Sequence, residues 1–399
     1  MQKPQHRAFL LVLLLWLAGL LAAGQFAKIA VPFAEVRSLY PMAGGHHGWL
    51  LSLVSLVGAV LGIVGGAFVS RFGAKRMLIS GLLLGAGVSL WQYAGLGFRV
   101  MLLSRIVEGL SHLAIVIAAP TLIAAVARDR WRGLAMSFWS TFFGVGFAFA
   151  AWLAPVVVET RGLEGLYLMH GVAMVVLAPA LAALIREADP SNASVPDSSR
   201  SALQIALNLG AVHRDAYRSP FVAAPATAWL FYTITFVALL ALLPDTVPAS
   251  GAWDVATAMP LVSIVVSVAV VPLLLQRVSA MRVVILGYGL AIGTLMLPFI
   301  GTHLALVAIA LFAVLGLVQG ASFAAVPELN ASDASRALAY GAMAQTGNIG
   351  NLLGTPLLLL ALSSGGISAL LYCIGALYLA AIALLYVLRR ARRGSYPNP

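Results

Sequence analysis

The sequence predicts an all-α integral membrane protein with twelve transmembrane helices in two six-helix bundles, and three observations carry that prediction. Of the 399 residues, 61% are hydrophobic and only 9% are charged, where a soluble domain has about 25% charged; mean hydropathy is +0.98. The apolar residues fall in runs near the roughly 20 residues that one bilayer crossing needs. The longest polar stretch, rich in Asp, Pro, Ser, Asn and Arg, runs from Arg186 to Ser219 and leaves six runs on either side.

Taken in order, the predicted spans of the first half are 8–33, 48–69, 77–96, 100–126, 133–157 and 163–185. Those of the second half are 220–243, 252–275, 283–300, 304–326, 337–362 and 367–388. The chain opens on a short basic segment, but its first apolar run, about 24 residues, is too long for a secretory signal. It is therefore expected to be a retained helix. The resulting divisions are 1–187 for the N-terminal bundle, 188–218 for a cytoplasmic linker and 219–399 for the C-terminal bundle. Within the linker, 201–212 has the pattern of a short surface helix with Leu203, Ile205, Ala206 and Leu209 on its apolar side.

Charge sets the orientation. Of 24 Lys and Arg, 19 fall on the side that holds both termini. Lys28, Arg37, Arg99 and Arg161 fall on the other, and Arg105 lies within a span. Short loops rich in Lys and Arg stay inside, so both termini are expected in the cytoplasm. The net charge of +11 then reflects topology rather than nucleic-acid binding. A single cysteine, Cys373, lies in an apolar run, which leaves no disulfide framework or metal cluster. His46 and His47 sit in the first outer loop, where a solvated loop is the simpler reading than a metal site. Two Asn-x-Ser sequons, at Asn192 and Asn330, fall on the expected cytoplasmic side and are read as chance.

One loop organises the first half. Residues Gly65 to Leu78 read GGAFVSRFGAKRML and join the second and third spans. Gly66 lets the preceding run pack closely on a neighbour. Arg71, Lys75 and Arg76 belong at a cytoplasmic membrane boundary. This pattern closely resembles the loop between the second and third helices of the major facilitator superfamily of transporters. Gly66, Arg71, Phe72, Gly73, Lys75 and Arg76 match, while Ser70 stands where that family usually has Asp. The resemblance implies a conformational-switch role for the loop, and Ser70 puts its outward-facing latch in doubt.

The fourth span contains LLSRIVEGLSH, residues 102–112. Arg105, Glu108 and His112 are spaced i, i+3, i+7 and share one helix face. Ionisable groups in a membrane usually face a bundle interior or a watery cavity. Arg105 and Gly109 also resemble the superfamily's fourth-helix motif, with Glu108 in place of the usual Gln; there the Arg serves proton transfer or substrate binding. The alternative is an Arg–Glu pair that only orders the helix, with His112 a packing residue. Gln25 and Lys28 lie in the outer half of the first span. Lys28 either lines a cavity with Arg105, favouring an anion, or snorkels to the interface.

In the eleventh span Gln345, Asn348 and Asn351 step by three and Thr355 continues the stripe. These amides either contact solute or hydrogen-bond between helices. Tyr232 in the seventh span, beside Phe231, Thr233 and Thr235, and Gln319 in the tenth are further candidates, with packing as the alternative. There is no Walker A loop, HExxH, GxSxG or CxxC, so ATP drive and an enzymatic site lack their usual signals.

The resemblance implies a secondary active transporter working by alternating access around a midplane site, of a cyanate permease-like flavour. Its substrate is expected to be a small organic or inorganic anion, coupled to protons. Arg105, Lys28, Gln25, Tyr232, Gln319, Gln345, Asn348 and Asn351 are the binding candidates, and Glu108 and His112 the proton-coupling ones. Efflux of small hydrophobic compounds is the runner-up within transport. A non-transporting membrane sensor or a membrane enzyme is the alternative from other classes. The expected partners are the solute, protons and lipid, with no cofactor, metal or nucleic acid. The expected state is a monomer in a bacterial inner membrane.

Overall fold

The computed structural model describes residues 3–127, 131–185, 209–243 and 249–394. Most of the linker therefore lies outside the described residues, as do Arg128, Arg130, Arg200 and the sequon at Asn192. Every regular element among the described residues is helical. Among the described residues, nine stretches are long and apolar enough to cross a membrane.

Chain order begins with α1 (Lys3–Ala30), the short α2 (Phe33–Leu39) and a 3-10 segment (Pro41–Gly48). Then come α3 (Trp49–Phe72), α4 (Ala74–Tyr93) and α5 (Phe98–Val126). The short α6 (Arg132–Ser140) leads into α7 (Phe142–Leu184). After the linker come α8 (Leu209–Arg218) and α9 (Pro220–Leu242). Next is α10 (Ala249–Val265), which passes through a π-turn at Val266–Val270 into α11 (Val271–Leu275). The last three are α12 (Ala280–Met296), α13 (Leu304–Leu329) and α14 (Asp333–Gly394).

Two of these are too long for one crossing. A helix of 43 residues extends about 65 Å, twice the ~30 Å hydrocarbon core. Glycine divides both. Gly162, at φ 68 and ψ −178, interrupts α7, and Gly365 with Gly366 at φ 63 interrupts α14. The π-turn that follows α10 ends two residues before Pro272, whose missing N–H explains the lost regular ladder.

The loop expected at Gly65 to Leu78 is far shorter than the sequence pattern implies. Helix α3 continues to Phe72 and α4 begins at Ala74, so Gly73 alone breaks the helix. Its φ of 86° lies where L side chains are strained. Its N–H donates to Val69 O at 3.0 Å and its carbonyl accepts from Met77 N at 3.2 Å, closing one helix and opening the next. The basic side chains leave solvent-side helix ends, so they do not require an extended loop. Arg71 lies over the Phe72 ring, and Ser70 Oγ donates to Ala67 O within its own helix.

The chain forms two compact units. The first comprises Met1–Arg128, Phe142–Val212 and Asp333–Ala344. In it α1, α4, α5 and α7 pack on one another and α3 packs on α5. Small residues set the approaches: a Cβ on Gly109 would stand 2.8 Å from Val57, and one on Gly146 2.6 Å from Ala23. The start of α14 crosses α3 at Gly66 and Gly341, with backbone against backbone. The second unit comprises Asp129–Thr141, His213–Ser332 and Gln345–Pro399. Helix α13 is its centre, contacted by α6, α9, α10 and α12. Gly316 and Gly320 bring α13 against Ser263 and Ser267.

Candidate functional site

The first unit holds a buried polar core built from four helices, each presenting a pair of side chains three residues apart. The pairs are Gln25 and Lys28 on α1, Ser89 and Gln92 on α4, Arg105 and Glu108 on α5, and Tyr167 and His170 on α7. An i, i+3 pair shares one helix face, so four inward faces converge. Glycine makes the room. A Cβ on Gly85 would stand 2.5 Å from Ser111 Oγ and 2.7 Å from Gln25 Nε2, and one on Gly24 would press on the His170 ring at 3.0 Å.

Glu108 is the centre. Its Oε1 lies 2.5 Å from Lys28 Nζ. Its Oε2 accepts from Arg105 Nη1 and, at 3.1 Å, from Gln92 Nε2. Arg105 is fully buried. Its Nε donates to Leu50 O at 2.8 Å and its Nη1 to Gln25 O at 2.8 Å. Lys28 also donates to Ser89 Oγ at 2.7 Å and lies 5.7 Å from the Tyr167 ring centre. Burial of Lys28 at 4% exposure corrects the snorkelling alternative: the carboxylate, not the interface, holds the ammonium. With two cations and one carboxylate, the triad carries a net charge of +1. Three polar atoms in this core, Arg105 Nη2, Gln25 Oε1 and Gln92 Oε1, are buried without a hydrogen-bond partner.

His112 and His170 differ in their connections. His112 Nδ1 lies 3.0 Å from Ala22 O and its ring packs edge-on against Phe26. His170 Nδ1 lies 2.8 Å from Ser89 Oγ, and its Nε2 2.8 Å from Leu21 O. The histidine joined to the triad by a hydrogen-bonded chain is thus His170, which the sequence reading did not single out. The i, i+3 pairs Ser89/Gln92 and Tyr167/His170 were the signal that could have found it.

The second-unit candidates are engaged with protein partners. Gln319 Oε1 accepts from Tyr232 OH at 3.0 Å and Ser263 Oγ at 2.9 Å, while its Nε2 donates to Ser140 O at 2.8 Å. Tyr232 is stacked between Trp229 and Phe236. Gln345 is held by the linker helix α8, accepting from Tyr217 OH at 2.8 Å and pairing with His213 Nε2 at 2.9 Å. Asn348 is buried, and Asn351 is half-buried with its Oδ1 unpartnered. Asn330, the described sequon, is buried and donates to Phe221 O and Val326 O.

Comparison with known proteins places this architecture. The mouse (Mus musculus) protein "Monocarboxylate transporter 9" is 29% identical over 190 residues, 47% of this chain and 37% of the relative. The "Galactose-proton symporter" of Escherichia coli K12 is 27% identical over 139 residues, 35% of this chain and 30% of the relative. The aligned part thus spans under half of these relatives' own length. The structure of the transporter FucP in its outward conformation superposes with a TM-score of 0.73 at 13% identity, covering 96% of this chain and 99% of that one. The model of the Major Facilitator Superfamily matches residues 15–334. Since that match takes in well over half of the 399 residues and the fold agrees along nearly the whole chain, this multi-pass membrane protein belongs to the Major Facilitator Superfamily of secondary transporters.

Proposed function

We propose that the chain moves a small monoanion together with a proton by alternating access, with the Lys28–Glu108–Arg105 triad as the charged part of its binding site. The net charge of +1 buried in that triad carries the reading. An uncompensated buried charge is costly, and a bound monoanion would neutralise it. Arg105 Nη2, buried and unpartnered, supplies a donor for an anionic oxygen. A carboxylate is the preferred form, in keeping with the monocarboxylate and proton-symporter relatives. Cyanate, the namesake of the branch the sequence resembles, has the same charge. A neutral hydrophobic cargo would leave the charge standing, which disfavours the efflux reading.

Proton coupling is assigned to Glu108. Both its oxygens are engaged by cations, so it takes up a proton only after one cation turns elsewhere; an anion drawing Arg105 away meets that condition. His112 is kept as a secondary proton group, through its position one turn along α5. The engaged Gln319 and Tyr232 are assigned to helix contact, and Gln345 to the linker, leaving Asn351, whose Oδ1 is buried without a hydrogen-bond partner, as a solute contact.

The architecture we propose is twelve spans. Glycine breaks divide two of the nine long apolar stretches, and the 20-residue α4 is the remaining crossing. Both termini are cytoplasmic, the halves divide at 187 and 219, the unit is a monomer, and the bacterial inner membrane is its home. The loop around Gly73 serves conformational switching. Proteoliposomes loaded with acetate, L-lactate or pyruvate test the function. An imposed proton gradient should drive accumulation of a labelled monocarboxylate, and Arg105→Met should abolish it. Transport of neutral hydrophobic compounds with no monoanion flux would overturn the reading.

A further inference from the structure

With Lys28 an ammonium and His170 a neutral imidazole, the hydrogen bonds around Ser89 assign each donor and acceptor. Lys28 Nζ can only donate, so Ser89 Oγ accepts from it at 2.7 Å. Leu21 O can only accept, so His170 Nε2 carries a hydrogen and donates to it at 2.8 Å. A neutral imidazole with hydrogen on Nε2 has a bare Nδ1. The hydroxyl hydrogen of Ser89 therefore points at His170 Nδ1, 2.8 Å away. The chain runs in one direction, from Lys28 through Ser89 to His170, and its Lys28 end is tied to Glu108 by the 2.5 Å ion pair.

We propose that Lys28 and His170 share a single proton through Ser89, and that its transfer to His170 releases Glu108 from Lys28 so that Glu108 can be protonated. The proposal rests on the reading of Glu108 as the coupling carboxylate. In the transfer, one N–H bond of the Lys28 ammonium breaks as Ser89 Oγ takes that proton. The original Ser89 O–H bond breaks as its proton forms the Nδ1–H bond of His170. The products are a neutral Lys28 amine, an intact Ser89 hydroxyl and a His170 imidazolium; the net charge is unchanged. The Ser89 hydroxyl can then donate back to the amine lone pair while accepting from Nδ1–H.

Hydrogen-bond count explains why one proton is shared rather than two held. With Lys28 and His170 both charged, Ser89 Oγ would accept from both and its own hydrogen would face no acceptor in this chain. Two cations would also lie across one hydroxyl in a medium of low dielectric. The charged and titratable groups facing His170 are Lys28 from α1 and Arg105 and Glu108 from α5, with Ser89 the polar contact from α4. Tyr167 lies one turn away on its own helix. Of these, only Lys28 exchanges a proton with it through hydrogen bonds seen in the structure. His170 is thus a proton-storing residue distinct from Glu108 and His112.

The test has two arms. The first needs no solute. Purified protein carries isotope-labelled lysine and histidine, with Lys28 and His170 among three lysines and seven histidines and assigned by loss of their signals in Lys28→Met and His170→Gln. In wild type the two side chains should change protonation together, as one coupled titration. In Ser89→Ala they should titrate separately. A Lys28 ammonium that persists unchanged while His170 becomes charged overturns the shared proton. The second arm uses L-lactate in proteoliposomes and compares accumulation under a proton gradient with exchange at equal pH. Ser89→Ala should lower the ratio of accumulation to exchange about a hundredfold, the effect of removing one proton-transfer partner, and Ser89→Thr, which keeps the hydroxyl, should restore it. An unchanged ratio in Ser89→Ala, or equal losses in the Ala and Thr variants, overturns the relay. Wild-type vesicles that move no monocarboxylate count against the proposed function, while the first arm still decides the shared proton.

Discussion

Lys28 Nζ and Glu108 Oε1 lie 2.5 Å apart between two helices, and both side chains are buried. Their removal should not be symmetric. Lys28→Met leaves a neutral Arg105–Glu108 pair. Glu108→Gln leaves two cations facing each other with no carboxylate. Stranding a buried charge in this way costs about 3–5 kcal/mol. Thermal unfolding in detergent should therefore rank both wild type and Lys28→Met above Glu108→Gln. The double variant, which leaves Arg105 as a single cation, should recover part of the Glu108→Gln loss. A double variant whose effect equals the sum of the two single effects would show that the pair is not energetically coupled.

The glycines at Gly66 and Gly73 should fail for different reasons. A Cβ on Gly66 would stand 2.6 Å from Ala337 O, and backbone cannot swing aside as a side chain can. Gly66→Ala should cost about 1–3 kcal/mol through overpacking and spread the crossing of α3 and α14. Around Gly73 space is open, but φ is +86°, so Gly73→Ala should cost about 1–2 kcal/mol of local strain. Neither residue touches the triad. Gly73→Asp or Arg71→Ala should slow turnover with little change in ligand affinity. A collapse of affinity with turnover at saturation preserved would remove the loop from conformational switching.

Much of this was legible in the sequence because membranes constrain it strongly. Apolar runs of spanning length located the helices, and the i, i+3, i+7 spacing of Arg105, Glu108 and His112 put them on one face. The depth of Lys28 placed it near Arg105. Contact was not legible, since spacing says which side chains share a face and nothing about which faces meet. His170 was not singled out, because its i, i+3 pairing with Tyr167 marks a shared face without showing that this face meets Ser89 and Lys28. Gln345 looked like a solute contact because its partners, Tyr217 and His213, lie more than a hundred residues away on the linker side. The basic cluster after Gly66 looked like a loop because charge marks the membrane boundary without saying whether the backbone is helical.

The tie between Tyr217 and Gln345 should survive ordinary changes of pH. Burial raises the Tyr217 hydroxyl to about 12, above its usual value near ~10. A hydroxyl whose value is higher folded than unfolded contributes stability in full below the unfolded value. That contribution is lost as pH rises through the interval between about 10 and about 12. Proteolysis of the linker should be flat through neutral pH and should rise in that alkaline interval. Tyr217→Phe should raise cleavage at neutral pH and flatten the alkaline rise. The same alkaline rise in Tyr217→Phe would assign it to another group.

Orientation can be checked without any solute. The basic residues bias both termini and the 188–218 linker toward the cytoplasm. A reporter fused after Ala188 should be cytoplasmic, and one inserted near Gly45 should be external. An external Ala188 fusion would overturn the twelve-span arrangement.

Charge accounting gives the sharpest test of coupling. The empty triad carries +1. With one monoanion and one proton bound, it carries +1 again, so the loaded and empty forms bring the same protein charge across and net turnover moves none. Uptake of L-lactate at a fixed pH gradient should then be nearly insensitive to a potential set with potassium and valinomycin. Movement of one charge per cycle would instead contribute ~2.3 kcal/mol per 100 mV, about fiftyfold in the accumulation ratio. Glu108→Gln removes the proton's destination. The anion can still enter and leave with Arg105, so exchange should persist in vesicles while pH-driven accumulation is abolished. If the carboxylate served only to order the helix, the same change would lower folded yield, and whatever protein survived would still accumulate L-lactate. Retained accumulation with an intact pH response in Glu108→Gln would therefore remove Glu108 from the coupling step, and a strongly potential-dependent wild type would remove the one-proton, one-anion cycle.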